Sequence, residues 1–197
     1  MEISDHDLEF IRQTATLMQS TASFAGMDHI ERVRQLAEAL GAQEGADLGI
    51  VRAAAYLHDI GVPLNKMRHY ELGARMARGM LRELGWDEET VQAVSHAIEG
   101  HSRYGGPDPQ TLEAKVLYDA DVAEFVGAIG LARAITRATE AGEYRGDVSQ
   151  VPALIDRVIA SAEGASYTAR GGEIIAERIA WLRGYQARLQ DELASKV

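Results

Sequence analysis

Apolar residues recur at spacings of three and four along nearly the whole chain, and no run alternates with period two for long enough to form a strand. The pattern predicts an all-α fold. A first helix follows Ser4 as N-cap, sets Leu8, Ile11, Ala15 and Met18 on one face, and ends near Phe24, Ala25 and Gly26. A second begins around Asp28 and presents Ile30, Val33, Leu36, Ala37 and Leu40 before Gly41. The third spans about residues 47–60, where Gly61 and Pro63 stop it, which puts His58 and Asp59 on its last turn. A fourth covers residues 69–84 and is closed by Gly85, and a fifth follows Asp87 to about Gly100. Residues 102–109, SRYGGPDP, are dense in turn formers and predict a mobile loop. The sixth helix starts near Thr111 with Leu112, Val116, Leu117, Ala120, Val122 and Phe125, and runs on through the small residues 127–130 to about Thr139. A polar loop over 141–150 leads to helices at 153–162 and about 171–193. The last carries Ile174, Ile175, Ile179, Leu182, Tyr185 and Leu189 at helical spacing, a face suited to packing on the core or to a dimer seam.

No repeat, low-complexity tract or linker divides the chain, so it reads as one domain over residues 1–197, with a core at about 25–140 and a C-terminal helical extension at 148–195. At 197 residues, 46% hydrophobic and 25% charged, it is long enough to bury roughly 70% of its unfolded surface. There is no cysteine, which excludes disulfides and thiolate sites and leaves His, Asp and Glu as the donors for any metal. The acidic start MEISDHDLEF is unlike a signal peptide, and no stretch approaches the roughly 18 apolar residues of a membrane span; a cytoplasmic protein is expected. The formal net charge of −10 opposes binding to long nucleic acids or anionic membranes. A small anion could still meet residues 62–82, where Lys66, Arg68, Arg75, Arg78 and Arg82 against Glu71 give a net of +4. That stretch is a phosphate-attracting rim or a solvated basic face.

Chemistry concentrates in His58-Asp59, within AAAYLHDIG. Asp28-His29 lies upstream, His69, His96 and His101 lie downstream, and Asp119-Ala120-Asp121 closes the series. Neutral imidazoles and carboxylates are ligands for Zn, Mn, Fe, Co, Ni or Mg, and a helical bundle assembles such a site from separate helices. His29, His58, Asp59 and Asp121 lie on the predicted second, third and sixth helices. Asp119 and Asp121 point about 200° apart on a helix, so one of them can face the site; Asp121 is the choice and Asp119 the alternative. His96 and His101 are about 140° apart, so a single ion is not expected to take both without a bend; His101 is the choice, with His96 as a contact to a ligand or to substrate.

The ordered stretches DHIERV, YLHDIG, HYELG, AIEGH and EAKVLYDADVAEFVGAIGLARA, over roughly residues 25–140, resemble the HD-domain superfamily of metal-dependent phosphohydrolases, in particular its small stand-alone bacterial members. The resemblance implies a helical hydrolase in which His29, His58, Asp59 and Asp121 bind a divalent ion and water attacks a phosphate ester or anhydride of a nucleotide or another small phosphorylated compound. Two-metal members of that superfamily add histidines between the doublet and the last aspartate. His69, His96 and His101 occupy such places and form a possible second site, so that one or two ions are expected, with Asp59 bridging ions about 3.5–4 Å apart if there are two. His101 is followed by SRYGGP rather than a GYP motif, a departure from the cyclic-dinucleotide phosphodiesterases of the HD-GYP kind.

Asp59, His69 and His101 are the candidate catalytic residues. Lys66, Arg68, Arg75 and Arg103 are candidates to hold substrate phosphate, since fixed cations stabilise charge on a transferring group. Arg32 is placed to pair with Asp59 or Asp119 or to form a surface salt bridge, Glu71 or Glu99 could pass a proton, and His6 is expected in solvent. Two other functions use the same donors: a di-iron oxygenase resembling myo-inositol oxygenase, and a non-catalytic metal-dependent nucleotide sensor. A homodimer is compatible with the last helix.

Overall fold

A computed structural model of the chain describes residues 3–19 and 26–196, and these contain helices and turns with no strand. They fall into two compact units, residues 1–121 and 122–197. The first unit holds α1 (Asp5–Gln19), α2 (Met27–Glu44), α3 (Leu48–Leu57), α4 (His69–Glu83), α5 (Glu88–Gly100) and most of α6 (Leu112–Ala123). The second holds α7 (Gly127–Glu140), a 3-10 turn at Val148–Gln150, α8 (Val151–Ala162) and α9 (Ala169–Leu193). No helix of the described residues is long and apolar enough to cross a membrane.

In the first unit α3 is the central element. Val51, Ala53, Ala54, Ala55, Tyr56 and Leu57 are all buried, as expected for a helix that is apolar on every side. It packs against α1, α2, α4 and α5. Local capping explains most boundaries. The Ser4 hydroxyl accepts from Asp7 N (3.1 Å), the Asp47 carboxylate from Gly49 N (2.8 Å) and Ile50 N (3.2 Å), and the Asp87 carboxylate from Thr90 N (2.9 Å). Gly85 ends the turn after α4 at φ +80°. The expected end of the first helix at Phe24 and Ala25 lies outside the described residues.

Three expected boundaries are corrected. The second helix does not stop at Gly41: that glycine sits inside α2 beneath Leu48, and the helix ends at Gly45, whose φ of +83° takes the left-handed cap. The third ends at Leu57, so His58 is its C-cap and Asp59 lies in the turns beyond. There Ile60 N donates to Leu57 O and Val62 N to Asp59 O in place of the helical ladder. The sixth helix does not run to Thr139. It breaks after Ala123 because Gly127 takes φ +76° and a Cβ on Gly130 would stand 2.3 Å from Phe125 O, which lets the chain fold tightly before α7 starts.

In the second unit α7, α8 and α9 pack on one another. Ile175, Ile179 and Leu182 of α9 are buried, as are Leu154, Ile155 and Val158 of α8. Glu124, also buried, faces Arg133 and Arg178 at 3.8 Å each, and the Arg178 guanidinium donates to Ala123 O (2.5 Å) at the end of α6, where cations favour exposed carbonyls.

Candidate metal centre

Asp59 stands among four imidazoles brought from four elements. Its Oδ2 is 3.5 Å from His58 Nε2 and 3.8 Å from His29 Nε2; its Oδ1 is 3.5 Å from His69 Nε2 and 3.6 Å from His101 Nε2. Asp121 Oδ1 lies 3.3 Å from His29 Nε2. His29 comes from the first turn of α2, His58 and Asp59 from the end of α3, His69 from the start of α4, His101 from the residue capping α5, and Asp121 from α6. His29, His58, Asp59, His101 and Asp121 are buried and His69 is half-buried.

The backbone aims the rings. His58 Nδ1 bonds Ala55 O (2.7 Å), His69 Nδ1 bonds Lys66 O (2.8 Å) and His101 Nδ1 bonds Ile98 O (2.6 Å), each three residues back. A carbonyl only accepts, so each Nδ1 carries a proton and each Nε2 faces inward; at His58 that nitrogen presents a lone pair. Local close approach makes this possible. A Cβ on Gly61 would stand 2.3 Å from His69 O and 2.9 Å from Gly73 N, so glycine admits the first turn of α4 against the turn that carries Asp59. Gln19 of α1 donates from Nε2 to Asp59 O, which also accepts from Val62 N. Gln19 was not among the residues expected at the centre; a polar residue continuing the buried Ile11–Ala15 stripe of α1 is the signal that could have pointed to it.

The electrostatics suit a cation. Burial pushes the His58 imidazole down to about 4, against the pull of Asp59, so its ring is neutral near pH 7. Burial opposes ionisation of Asp59, yet the attraction of the surrounding His58, His101 and His29 imidazoles and the hydrogen bond with His101 outweigh it and hold the carboxyl far below its usual range. Asp121 behaves likewise through its bond to His29, falling to about 2. His58 Nε2 is buried with no hydrogen-bond partner among the described residues. A lone pair left so is costly in a protein interior, and a cation between it and the two carboxylates would satisfy it. Two donor sets bring their ligand atoms within 4.8 Å of one another: His29, His58 and Asp121, and His58, Asp59 and His101. The residues present fit a divalent ion.

His96 is not among the converging rings; its Nε2 accepts from Gln110 N (3.0 Å) and pins the far end of the 102–109 loop. Asp119, the alternative to Asp121, is fully buried on α6. Arg32 donates to Asp28 (3.0 Å) on its own helix. The basic stretch is largely neutralised. Arg68 forks onto Glu71 (2.9 and 2.6 Å), Arg78 pairs with Glu99 (2.9 Å) and Arg82 with Glu88 (2.7 Å), which also engages the two glutamates considered as proton carriers. Lys66 contributes its carbonyl to His69, Arg75 is exposed, and His6 is exposed. Arg103 is half-buried, with its guanidinium over the Tyr104 ring (5.1 Å). Its loop reaches the centre's edge: a Cβ on Gly105 would meet Tyr70 Oη at 3.4 Å, and the Tyr70 ring stands edge-on to His69 at 5.8 Å.

The HD domain family matches residues 26–125, about half of the chain and the stretch that bears every converging donor. YpgQ of Bacillus subtilis is 34% identical over 136 residues, spanning 65% of this chain and 66% of that relative. Its crystal structure superposes with a TM-score of 0.73 at 30% identity over 95% of both chains, and it has also been solved in complex with ADP (29% identical, TM-score 0.73). A predicted HD superfamily hydrolase from an uncultured Thermotogales bacterium is similar at 25% identity and a TM-score of 0.68, covering 96% of this chain and 92% of that one. The all-α fold is that of HD-superfamily hydrolases, and the chain belongs to the HD-domain family.

Proposed function

We propose that this chain is a metal-dependent phosphohydrolase that cleaves a phosphate ester or anhydride of a nucleotide. The convergence of four imidazole Nε2 atoms on Asp59, with Asp121 alongside, carries the proposal. The ADP seated in YpgQ supports a nucleotide as the substrate class. The net charge of −10 favours a small substrate over a long phosphate polymer.

His29, His58, Asp59 and Asp121 would hold one divalent cation. The chemistry such an ion supplies when bound is Lewis acidity toward water and a phosphoryl oxygen. His69 and His101 then do different work. Their Nε2 atoms are 3.1 Å apart while both Nδ1 protons are committed to carbonyls, so the pair shares a single proton. Burial disfavours that proton on His101, but the hydrogen bond and charge of Asp59 outweigh burial and raise its affinity, whereas burial and the His101 charge lower that of His69. His101 is thus the stronger base of the pair, and a proton held between the two Nε2 atoms could pass through His69 to a departing oxygen. Arg103 binds substrate phosphate from the loop edge.

Phosphate and pyrophosphate release from nucleoside mono-, di- and triphosphates, with Mn, Co, Mg, Ni or Fe, tests the proposal. Release that requires metal and stops on chelation is expected. Nucleotide binding without release under every metal would replace it with a sensor, and oxygen consumption by the iron-loaded protein with an oxygenase.

His69→Ala is expected to keep one ion per chain while kcat falls roughly 10²–10⁴-fold, the range for loss of a positioned acid. Elemental analysis checks it: two ions in the parent and one in the variant would make His69 a ligand instead. Arg103→Ala is expected to raise KM more than it lowers kcat and to leave the melting temperature within a few degrees. Unchanged kinetics would return Arg103 to the class of surface charges.

A further inference from the structure

The outward face of α9 lies away from its packing on α7 and α8 within the second unit. Trp181 and Tyr185 are 47% and 40% exposed and stack on each other, with centroids 5.6 Å apart and planes 18° from parallel. Beside them is Gly184, exposed in the interior of a 25-residue helix, where a Cβ would meet nothing within 4 Å. Glycine is among the least favourable residues for a helix interior, and here no neighbour among the described residues requires it. Glu177, Trp181, Gly184 and Arg188 follow one another at steps of four, three and four, the spacing of a coiled-coil seam, on the side away from buried Ile175, Ile179 and Leu182.

We propose that this face pairs with the same face of a second copy, α9 against α9 and antiparallel, about a two-fold axis level with the bond between Leu182 and Arg183. The residue order makes the seam self-complementary, as an isologous contact demands. Trp181 then lies over Gly184 of the second copy, Tyr185 over its Ala180, and Glu177 opposite its Arg188, each contact occurring twice. The missing Cβ at Gly184 leaves room for the indole, and the aromatic pair supplies a buried anchor of the kind that dominates interfaces. Glu177 and Arg188 supply the charge complementarity. Arg188 bonds Glu192 within its own helix (2.6 Å), an exposed pair that can be shared with an opposing carboxylate.

Sedimentation velocity of the full chain across a range of concentrations tests this. A dimer is expected. Glu177→Arg and Arg188→Glu should each weaken it at least roughly tenfold by setting like charges opposite one another, and the double variant should return the parent constant to within about threefold. Both substitutions are on exposed positions, and the melting temperature of each variant shows that the fold is kept. A chain that stays monomeric at every concentration, a dimer indifferent to both single reversals, or a double variant as weak as the singles would each overturn the proposal. The first of these would leave the face to another part of the chain or to a different protein.

Discussion

Replacing Asp59 with Asn is expected to strip the divalent ion from the protein and reduce phosphate release by more than about 100-fold while the helical content stays at the parent level. Partners that merely orient a metal ligand are worth roughly 10–100-fold in metal affinity or activity. Asp59 faces His29, His58, His69 and His101 within 3.5–3.8 Å, so its charge acts on every ring of the centre at once. An amide of the same shape keeps the backbone bonds from Gln19 and Val62 to the Asp59 carbonyl, which is why the fold persists. What disappears is the negative charge that would offset a buried cation and that raises the proton affinity of His101. Elemental analysis beside circular dichroism checks both halves. Full metal occupancy in Asp59→Asn would remove Asp59 from the ligand set.

Gly61→Ala is the second large effect, and it acts on the scaffold. The added methyl would stand 2.3 Å from His69 O and 2.9 Å from Gly73 N, both backbone atoms that cannot rotate away. Overpacking of this kind costs about 3 kcal/mol, near the upper end of the usual range because the obstacle is main chain. For a chain of this size that lowers the melting temperature by roughly 10 °C. Relief comes by moving the first turn of α4 outward, which carries His69 away from His101 and Asp59. The control is Gly79→Ala in the same helix, whose Cβ would meet nothing within 4 Å and which should be neutral or mildly stabilising. Equal melting temperatures for Gly61→Ala and the parent would show that the turn yields without strain.

The contrast between these two glycines marks where reading the chain residue by residue stops. Helix starts at Ser4, Asp47 and Asp87 and the stop at Gly85 were legible because a cap is a contact between residues two to four apart. Gly41 misled because a stop signal in isolation can be overridden by packing, here the seat of Leu48. The break after Ala123 was hidden for the opposite reason: apolar spacing runs on through residues 124–130, and only the folded chain shows Gly130 closed onto Phe125. Arg68, Arg78 and Arg82 look like a positive rim until their carboxylate partners are seen, and the partners of Arg78 and Arg82, Glu99 and Glu88, lie outside the basic stretch 62–82.

Within the centre the same division holds. The order of donors along the chain, and the helical phase that sets Asp121 apart from Asp119, follow from residue types and a 3.6-residue period, so an all-α scaffold with imidazoles and carboxylates on several helices could be read without coordinates. Which rings meet could not. His96 and His101 are equivalent as letters, and what separates them is that one bonds Ile98 O and turns its Nε2 inward while the other is taken by Gln110 N. Local spacing determines the direction in which a side chain leaves its helix, but the distance between side chains on different helices is set by how closely the backbones approach, and here that approach was decided by Gly61 against α4 and by Gln19 reaching across from α1.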